Sequence, residues 1–320
     1  MGKIEKNKVL VFGGGRWARQ IIKEIVSNFK NKFDIVVVTP NNSMEMKNWI
    51  NSNNFSSVKI NKSIPKINNN YLVSIVANSV KDHYSSAKKS LKNKIPTLVE
   101  KPVTLSKLQT KNLIEEAKKN KVKLFSSNIL LFSSNIFSFL KEIKEKNKIQ
   151  SITIHWKDPI KEIRYGEIKK SDLSIPIYAD YLPHILPIIW KLTNKKDIQL
   201  VSHRFYEDQS KVKLNFLANN ILCYVTLDRA FTKRVRVIKI ENERSNDLFD
   251  FHSPEPELYS NNKKNNHYKP NIKDRPLAKM LRSLFNCAEN NSNNHKLDIE
   301  LSLKTNEMID HISNIEKINK

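Results

Sequence analysis

The sequence predicts an α/β protein, with a doubly wound parallel sheet at the N-terminus and then an α+β domain on a mostly antiparallel open sheet. Three observations carry this. In the first third, short β-branched runs alternate with amphipathic stretches of about 10–15 residues, the texture of βαβ units with right-handed crossovers. Three of the five glycines are consecutive, at 13, 14 and 15, where the first strand meets the first helix. From about residue 125, strand-like segments follow one another closely with partial alternation, which suggests an antiparallel meander with one face covered by helices.

Taken in order, Lys8 to Phe12 reads as a strand, and Trp17 to Phe29 as a helix with Ile21, Ile22, Ile25 and Val26 at helical spacing. Phe33 to Val38 is a second buried strand, Met44 to Ile50 a helix, and Val58 to Ile60 a short third strand. Leu72 to Ala77 is the fourth strand, followed by a helix through His83, Ala87 and Leu91. Thr97 to Val99 is the fifth, and Lys107 to Asn120 an amphipathic helix. Further strands are expected at Ile149 to Trp156, Ile198 to Tyr206, Val212 to Leu217, Ile221 to Asp228 and Arg234 to Glu241. The polar, breaker-rich stretch 260–274 reads as a surface loop, and Pro276 to Lys320 as helical. The expected division is a dinucleotide-binding domain over 1–124 and an α+β substrate and oligomerisation domain over 125–320.

The composition excludes several classes. With 320 residues, 39% apolar and 28% charged, the chain can bury two cores and is not a disordered one. Two cysteines, Cys223 and Cys287, permit neither a disulfide framework nor a thiolate metal cluster, and point to a reducing, cytoplasmic setting. The opening MGKIEKNKVLVF lacks a signal peptide's apolar stretch. The longest uncharged run, Leu124 to Leu140, is too short and too rich in Ser and Asn to span a bilayer. The net charge of +24 invites a nucleic-acid reading, but 46 Lys stand against 10 Arg and are spread over the whole chain. Readers of nucleic acid favour the planar Arg fork. No nucleic-acid or membrane partner is expected, although such a field draws in anionic ligands such as phosphates.

The glycines give the first chemical signal. With Ala18 they form G-x-G-x-x-A between strand and helix: Gly13 for the tight turn, Gly15 for close approach of a pyrophosphate, Ala18 for close helix packing. Gly14 completes the turn, and the N–H groups opening the helix favour phosphate. The second strand ends Val38-Thr39-Pro40-Asn41-Asn42, without the acid that would bond the adenosine ribose hydroxyls. A 2′-phosphate would there meet hydroxyl and amide donors and Arg16, which favours NADP over NAD.

Two further constellations follow. Glu100-Lys101-Pro102 comes directly after the fifth strand, at the ligand-binding edge of a doubly wound sheet. Taken alone, a Lys before Pro is usually just a solvated side chain. Asp180 and His184, four apart, share one face of a helix or its first turn and suit proton transfer. An Asp N-cap with a nearby His fits the same spacing. No third ligand follows at metal-site spacing, so no metal is expected.

In order and spacing, VFGGGRWA (11–18), SIVANSVKDHYSSAKKSL (74–91), LVEKPVTLS (98–106) and the D-x-x-x-H of ADYLPHILPIIW (179–190) resemble the Gfo/Idh/MocA oxidoreductases. The segment 126–143 resembles that family's linker, and NEMIDHI (306–312) its closing helix. The resemblance implies hydride transfer between NADP or NAD and a carbinol or carbonyl carbon of a sugar, nucleotide sugar or cyclitol. It implies a cofactor site formed by Gly13, Gly14, Gly15, Arg16, Trp17, Ala18, Thr39, Asn78, His83, Glu100, Lys101 and Pro102, with the Lys101–Pro102 bond cis. Lys101 would bond the reacting oxygen, His184 would be the acid/base, and Asp180 would hold substrate or orient His184. Lys157, Arg164 or Tyr165 would contact an anionic or polyhydroxylated substrate. A homo-oligomer, dimer or tetramer, would form through the C-terminal sheet. An imine or tetrapyrrole-type reductase, or a non-catalytic NAD(P)-sensing regulator, is the alternative on this fold. The chain departs from the pattern before Asp180, where Ser-Ile-Pro-Ile-Tyr-Ala replaces the glycines of many relatives.

Overall fold

The computed structural model describes residues 7–30, 32–63, 71–145, 148–164, 166–194, 197–206, 209–252 and 255–318. The chain forms two units, Met1–Asn128 with Leu277–Lys320, and Ile129–Pro276.

The first unit begins β1 (Asn7–Phe12), α1 (Arg16–Asn28), β2 (Phe33–Val38), α2 (Ser43–Ser52), β3 (Val58–Asn61), β4 (Tyr71–Val76), α3 (Val80–Lys92), β5 (Thr97–Val99), α4 (Lys107–Lys119) and β6 (Leu124–Ser126). The six strands lie parallel in the order β3-β2-β1-β4-β5-β6. Val9, Leu10 and Val11 are all fully buried, which explains why β1 reads as a continuous apolar run rather than an alternating one. The order reverses between β1 and β4, and at that point the loops from neighbouring strand ends converge. Backbone bonds carry the ladder one residue past the strands: Gly13 N–H to Val38 O (3.0 Å), Ala77 N–H to Phe12 O (2.9 Å) and Glu100 N–H to Val76 O (2.9 Å).

The second unit comprises α5 (Ser134–Glu145), β7 (Ile149–Lys157), β8 (Lys161–Arg164), β9 (Glu167–Lys170), α6 (Ile177–Thr193), β10 (Ile198–Phe205), β11 (Lys211–Ala218), β12 (Ile221–Asp228), β13 (Val235–Asn242), β14 (Asn246–Asp250), β15 (Glu257–Ser260) and β16 (Lys263–Lys264). Eight strands form one sheet in the order β10-β11-β12-β7-β13-β14-β15-β16, antiparallel except for the β12–β7 pair. β8 and β9 form a separate hairpin. Alternation sends Ile152, Ile154 and Trp156 of β7 and Val212, Leu214 and Phe216 of β11 to the buried face. Helices cover that face: Phe139 of α5 stacks on Phe249 of β14, and α6 packs on β11 and β12.

The chain then returns to the first unit as α7 (Pro276–Glu289) and α8 (Ile299–Ile318). Phe285 of α7 meets Phe29 and Phe33 at 4.9 and 4.5 Å, and Asn306 of α8 bonds Thr104 and Thr110. The structure therefore differs from the sequence division at 124/125, which left 276–320 with the second domain. The helical spacing in that segment marks a buried face without saying which sheet it covers. β6 lies across the expected boundary and was not foreseen as a strand; nor were β8, β9, β14 and β15. The stretch 260–274, expected as loop, holds the two-residue β16. Elsewhere the expected elements fall within one or two residues of those observed.

Candidate functional site

In the first unit the glycine turn divides its labour residue by residue. Gly13 has φ +122°, and a Cβ there would lie 2.7 Å from Ala77 O, so only glycine fits between β1 and the loop after β4. A Cβ on Gly14 would come 2.5 Å from Thr39 Oγ1. Gly15, the N-cap of α1, has nothing within 4 Å of its Cβ position and ordinary backbone angles (φ −76°, ψ 176°). Its missing side chain is needed by neither the turn nor the packing. It leaves the N-terminus of a 13-residue helix open to an approaching anion. Ala18 is fully buried on the sheet side, while Arg16 and Trp17 are half-buried. The amide oxygen of Asn78, in the loop facing Gly13, is buried and has no partner among the described residues. An open cradle beside an unsatisfied acceptor fits a pyrophosphate-bridged dinucleotide carrying hydroxyls.

The Glu-Lys-Pro turn is built into the same edge. Glu100 is 5% exposed; its carboxylate accepts from Ser127 Oγ (2.8 Å) and from the Lys101 N–H (3.2 Å). Burial outweighs these donors and raises the Glu100 pKa. Ser127 also meets Met280 Sδ of α7 at 3.5 Å, and α8 pins the next segment through Asn306 to Thr104 O (2.9 Å). The Lys101–Pro102 bond is cis, as the resemblance implies.

His83, on α3, holds the turn from below. It is 2% exposed and stands between two carbonyls, with Nδ1 2.9 Å from Pro102 O and Nε2 3.2 Å from Asn78 O. Burial lowers its pKa, and the carbonyls only partly oppose this. The ring is thus neutral and has one N–H, which the shorter contact assigns to Nδ1 and Pro102. With the folded pKa lowered, the unfolded chain takes up the proton first as pH drops below about 6.5. This contribution to stability is complete above that pH and lost as pH falls toward the folded pKa. Melting curves between about pH 7 and 5 should therefore show a smaller fall in Tm for His83→Gln than for wild type; equal falls would contradict the assignment.

The second unit carries the Asp/His pair on α6. Asp180 lies in the first turn, four residues after the N-cap Pro176, so it is not itself the cap. Pro183 and Pro187 lie within the helix and, lacking N–H groups, leave the carbonyls of Ala179 and Pro183 without their helical donors. His184 is half-buried, and its ring stacks on Trp156 of β7, with centroids 5.1 Å apart and planes at 16°. Beside Trp156, Asp158 is 1% exposed and binds Arg236 Nη2 at 2.6 Å, Lys169 at 3.4 Å and the Tyr181 hydroxyl. Burial raises the Asp158 pKa, but the Arg236 and Lys169 cations outweigh it and hold the carboxyl below its usual range. Burial pushes the Arg236 pKa down to about 10, leaving the guanidinium charged at neutral pH.

The sequence-derived candidates thus fall into two groups. Gly13 to Ala18, Thr39, Asn78, His83 and Glu100 to Pro102 meet at one sheet edge of the first unit. Asp180 and His184 share α6. Lys157 does not join His184: successive side chains of β7 alternate, and its ammonium sits 4.1 Å over Phe231. Arg164 pairs with Glu167 across the β8–β9 hairpin, and Tyr165 lies outside the described residues. Trp156, Asp158, Tyr181 and Arg236 were missed. Alternation within β7 could have placed Trp156 inward; Arg236, 78 residues after Asp158, gave no local signal.

A parallel sheet in this strand order, with a glycine-lined helix N-terminus at its switch point, defines a nicotinamide-dinucleotide-type Rossmann domain. Residues 7–128 match the family model GFO_IDH_MocA, the oxidoreductase family with an NAD-binding Rossmann fold. The match covers the first domain and marks it as the NAD-binding Rossmann domain of an oxidoreductase. No curated protein sequence matches the chain. Among solved structures it resembles the dehydrogenase MviM from Clostridium difficile (17% identity, TM-score 0.77, 97% of this chain and 99% of that one). It also resembles UDP-N-acetylglucosamine 3-dehydrogenase from Acidithiobacillus ferrooxidans (14% identity, TM-score 0.76, 96% of each chain). A third is a 3-ketoreductase from Actinomadura kijaniata in complex with NADP and TDP-benzene (13% identity, TM-score 0.74, 96% of each chain). At these identities the likeness is one of fold. Among the described residues no helix is long and apolar enough to cross a membrane.

Proposed function

We propose that this protein transfers hydride between a nicotinamide cofactor and a carbinol or carbonyl carbon of a sugar, with nucleotide sugars the preferred class. The bound nicotinamide supplies the hydride acceptor or donor. Lys101 hydrogen-bonds the reacting substrate oxygen, His184 exchanges its proton, and Asp180 holds substrate or orients His184. The observation that carries this reading is the backbone ladder past the strand ends, Ala77 N–H to Phe12 O and Glu100 N–H to Val76 O, which brings the turn bearing Lys101 to the same sheet edge as the glycine cradle. The substrate class draws support from the neighbours named for a UDP-sugar and bound to a TDP compound. It also draws support from the net charge of +24, which favours a diphosphate-bearing ligand. Nicotinamide absorbance, followed with a panel of UDP- and TDP-sugars against free sugars and cyclitols, tests it. Turnover confined to the unphosphorylated compounds would remove the nucleotide-sugar reading. The oligomer is read as a dimer or tetramer through the open sheet face, where Leu222 and Tyr224 are exposed; a monomer in sedimentation would remove that reading.

Cofactor choice follows from the end of β2. Thr39 is 4% exposed, with its hydroxyl against Gly14, and no carboxylate stands in the stretch Thr39–Asn42 to repel a 2′-phosphate. NADPH should bind more tightly than NADH, and Thr39→Asp should reverse the order. Fluorescence titration with both nucleotides checks this. Equal affinities in the wild type, or an unchanged order in the variant, would refute it.

A further inference from the structure

His184 does not lie on an ordinary apolar wall. The indole beneath it also carries the Arg236 guanidinium, whose Cζ is 4.0 Å from the ring centroid, while Tyr181 and Phe251 approach the same ring at 6.2 and 6.1 Å. Arg236 is 3% exposed and held on three sides: Asp158 Oδ1 at 2.6 Å, Lys157 O at 2.6 Å and Val235 O at 2.8 Å. It stands directly opposite Trp156 in the β7–β13 register. Asp158 in turn binds the Tyr181 hydroxyl of α6, the helix that carries His184. A buried ion pair of this kind adds little net stability over apolar side chains of the same volume. Its geometry does something else: it fixes one indole plane between two strands and the helix.

We propose that Trp156, clamped by Arg236 and Asp158, is the positioning platform of His184. The indole confines the imidazole to a single plane, so its two nitrogens keep one direction. The guanidinium confines the indole, and Asp158 confines the guanidinium. None of the three exchanges a proton with substrate; they act through His184. The proposal rests on the reading of His184 as the acid/base.

The test uses the full chain with isotope-labelled histidine. The His184 C–H resonances, assigned by their loss in His184→Gln, should lie upfield of exposed imidazoles because they sit in the indole ring current. Trp156→Leu should return them to the ordinary position, and Trp156→Phe should keep part of the shift. Arg236→Lys, which retains the charge without the planar fork, should shrink the shift. A wild-type His184 resonance at the ordinary position, or an upfield one that survives Trp156→Leu, would overturn the proposal. With a nucleotide sugar that turns over, Trp156→Leu should lower kcat by roughly 10-fold or more with the KM for NADPH unchanged, and Trp156→Phe should restore most of it. Full turnover in a folded Trp156→Leu protein, with His184→Gln inactive, refutes the platform alone. Full turnover in His184→Gln instead refutes the acid/base reading, and the platform's catalytic role falls with it.

Discussion

Gly15→Val is expected to abolish NADPH binding in a protein that still folds. Both halves of that expectation come from the same position. The backbone of Gly15 is one any residue adopts, and no atom lies within 4 Å of its Cβ site, so the valine fits the unliganded fold. At an N-cap the exchange costs about 1 kcal/mol at most. The branched side chain would nevertheless stand where a pyrophosphate must approach the helix N–H groups. A loss of affinity of ~10² or more, about 2.7 kcal/mol, should appear in a fluorescence titration with Tm nearly unchanged. Gly13→Ala should behave in the opposite way: with φ +122° and Ala77 O only 2.7 Å from the new Cβ, its first effect is on stability. Wild-type affinity in folded Gly15→Val would reduce the motif to a structural turn.

Lys101→Ala should lower kcat by roughly 10² or more, because a donor aimed at a developing oxyanion is worth that much, and cofactor affinity should not change. His184→Ala should lose activity on the scale of ~10²–10⁴ and flatten the pH profile, since the titrating group is gone. Asp180→Asn should be milder, because the proton carrier stays. If both residues act on one oxygen in one step, the double variant Lys101→Ala/His184→Ala should cost less than the product of the singles. Near-wild-type turnover in either alanine variant would overturn the mechanism and favour a regulator that senses NAD(P) without catalysis.

Much of the first unit was legible because its information is local. Strand, turn and helix follow one another within a few residues at Val11 to Ala18 and again at Leu98 to Pro102, and each step has its own residue signature. The tight turn assigned to Gly13 and the close packing assigned to Ala18 match the geometry each residue meets. The second unit was less legible. Strands such as β8, β9 and β14 are four or five residues long and lack an alternation that separates them from loop. The helical pattern of 276–320 was visible, but an amphipathic face does not name its partner.

The sequence by itself determined the doubly wound fold, the glycine turn and the two motifs that carry Lys101 and His184. All of these are read within windows of about a dozen residues. Only the tertiary structure decided what surrounds them. Pairing β7 with β13 sets Arg236 against Trp156, and folding α7 and α8 back onto the first sheet brings Met280 to Ser127 and Asn306 to Thr104. The last two contacts join residues 153 and 202 positions apart. Strand register and the partner of an apolar face are fixed by packing across the whole unit, and packing leaves no local trace in the chain.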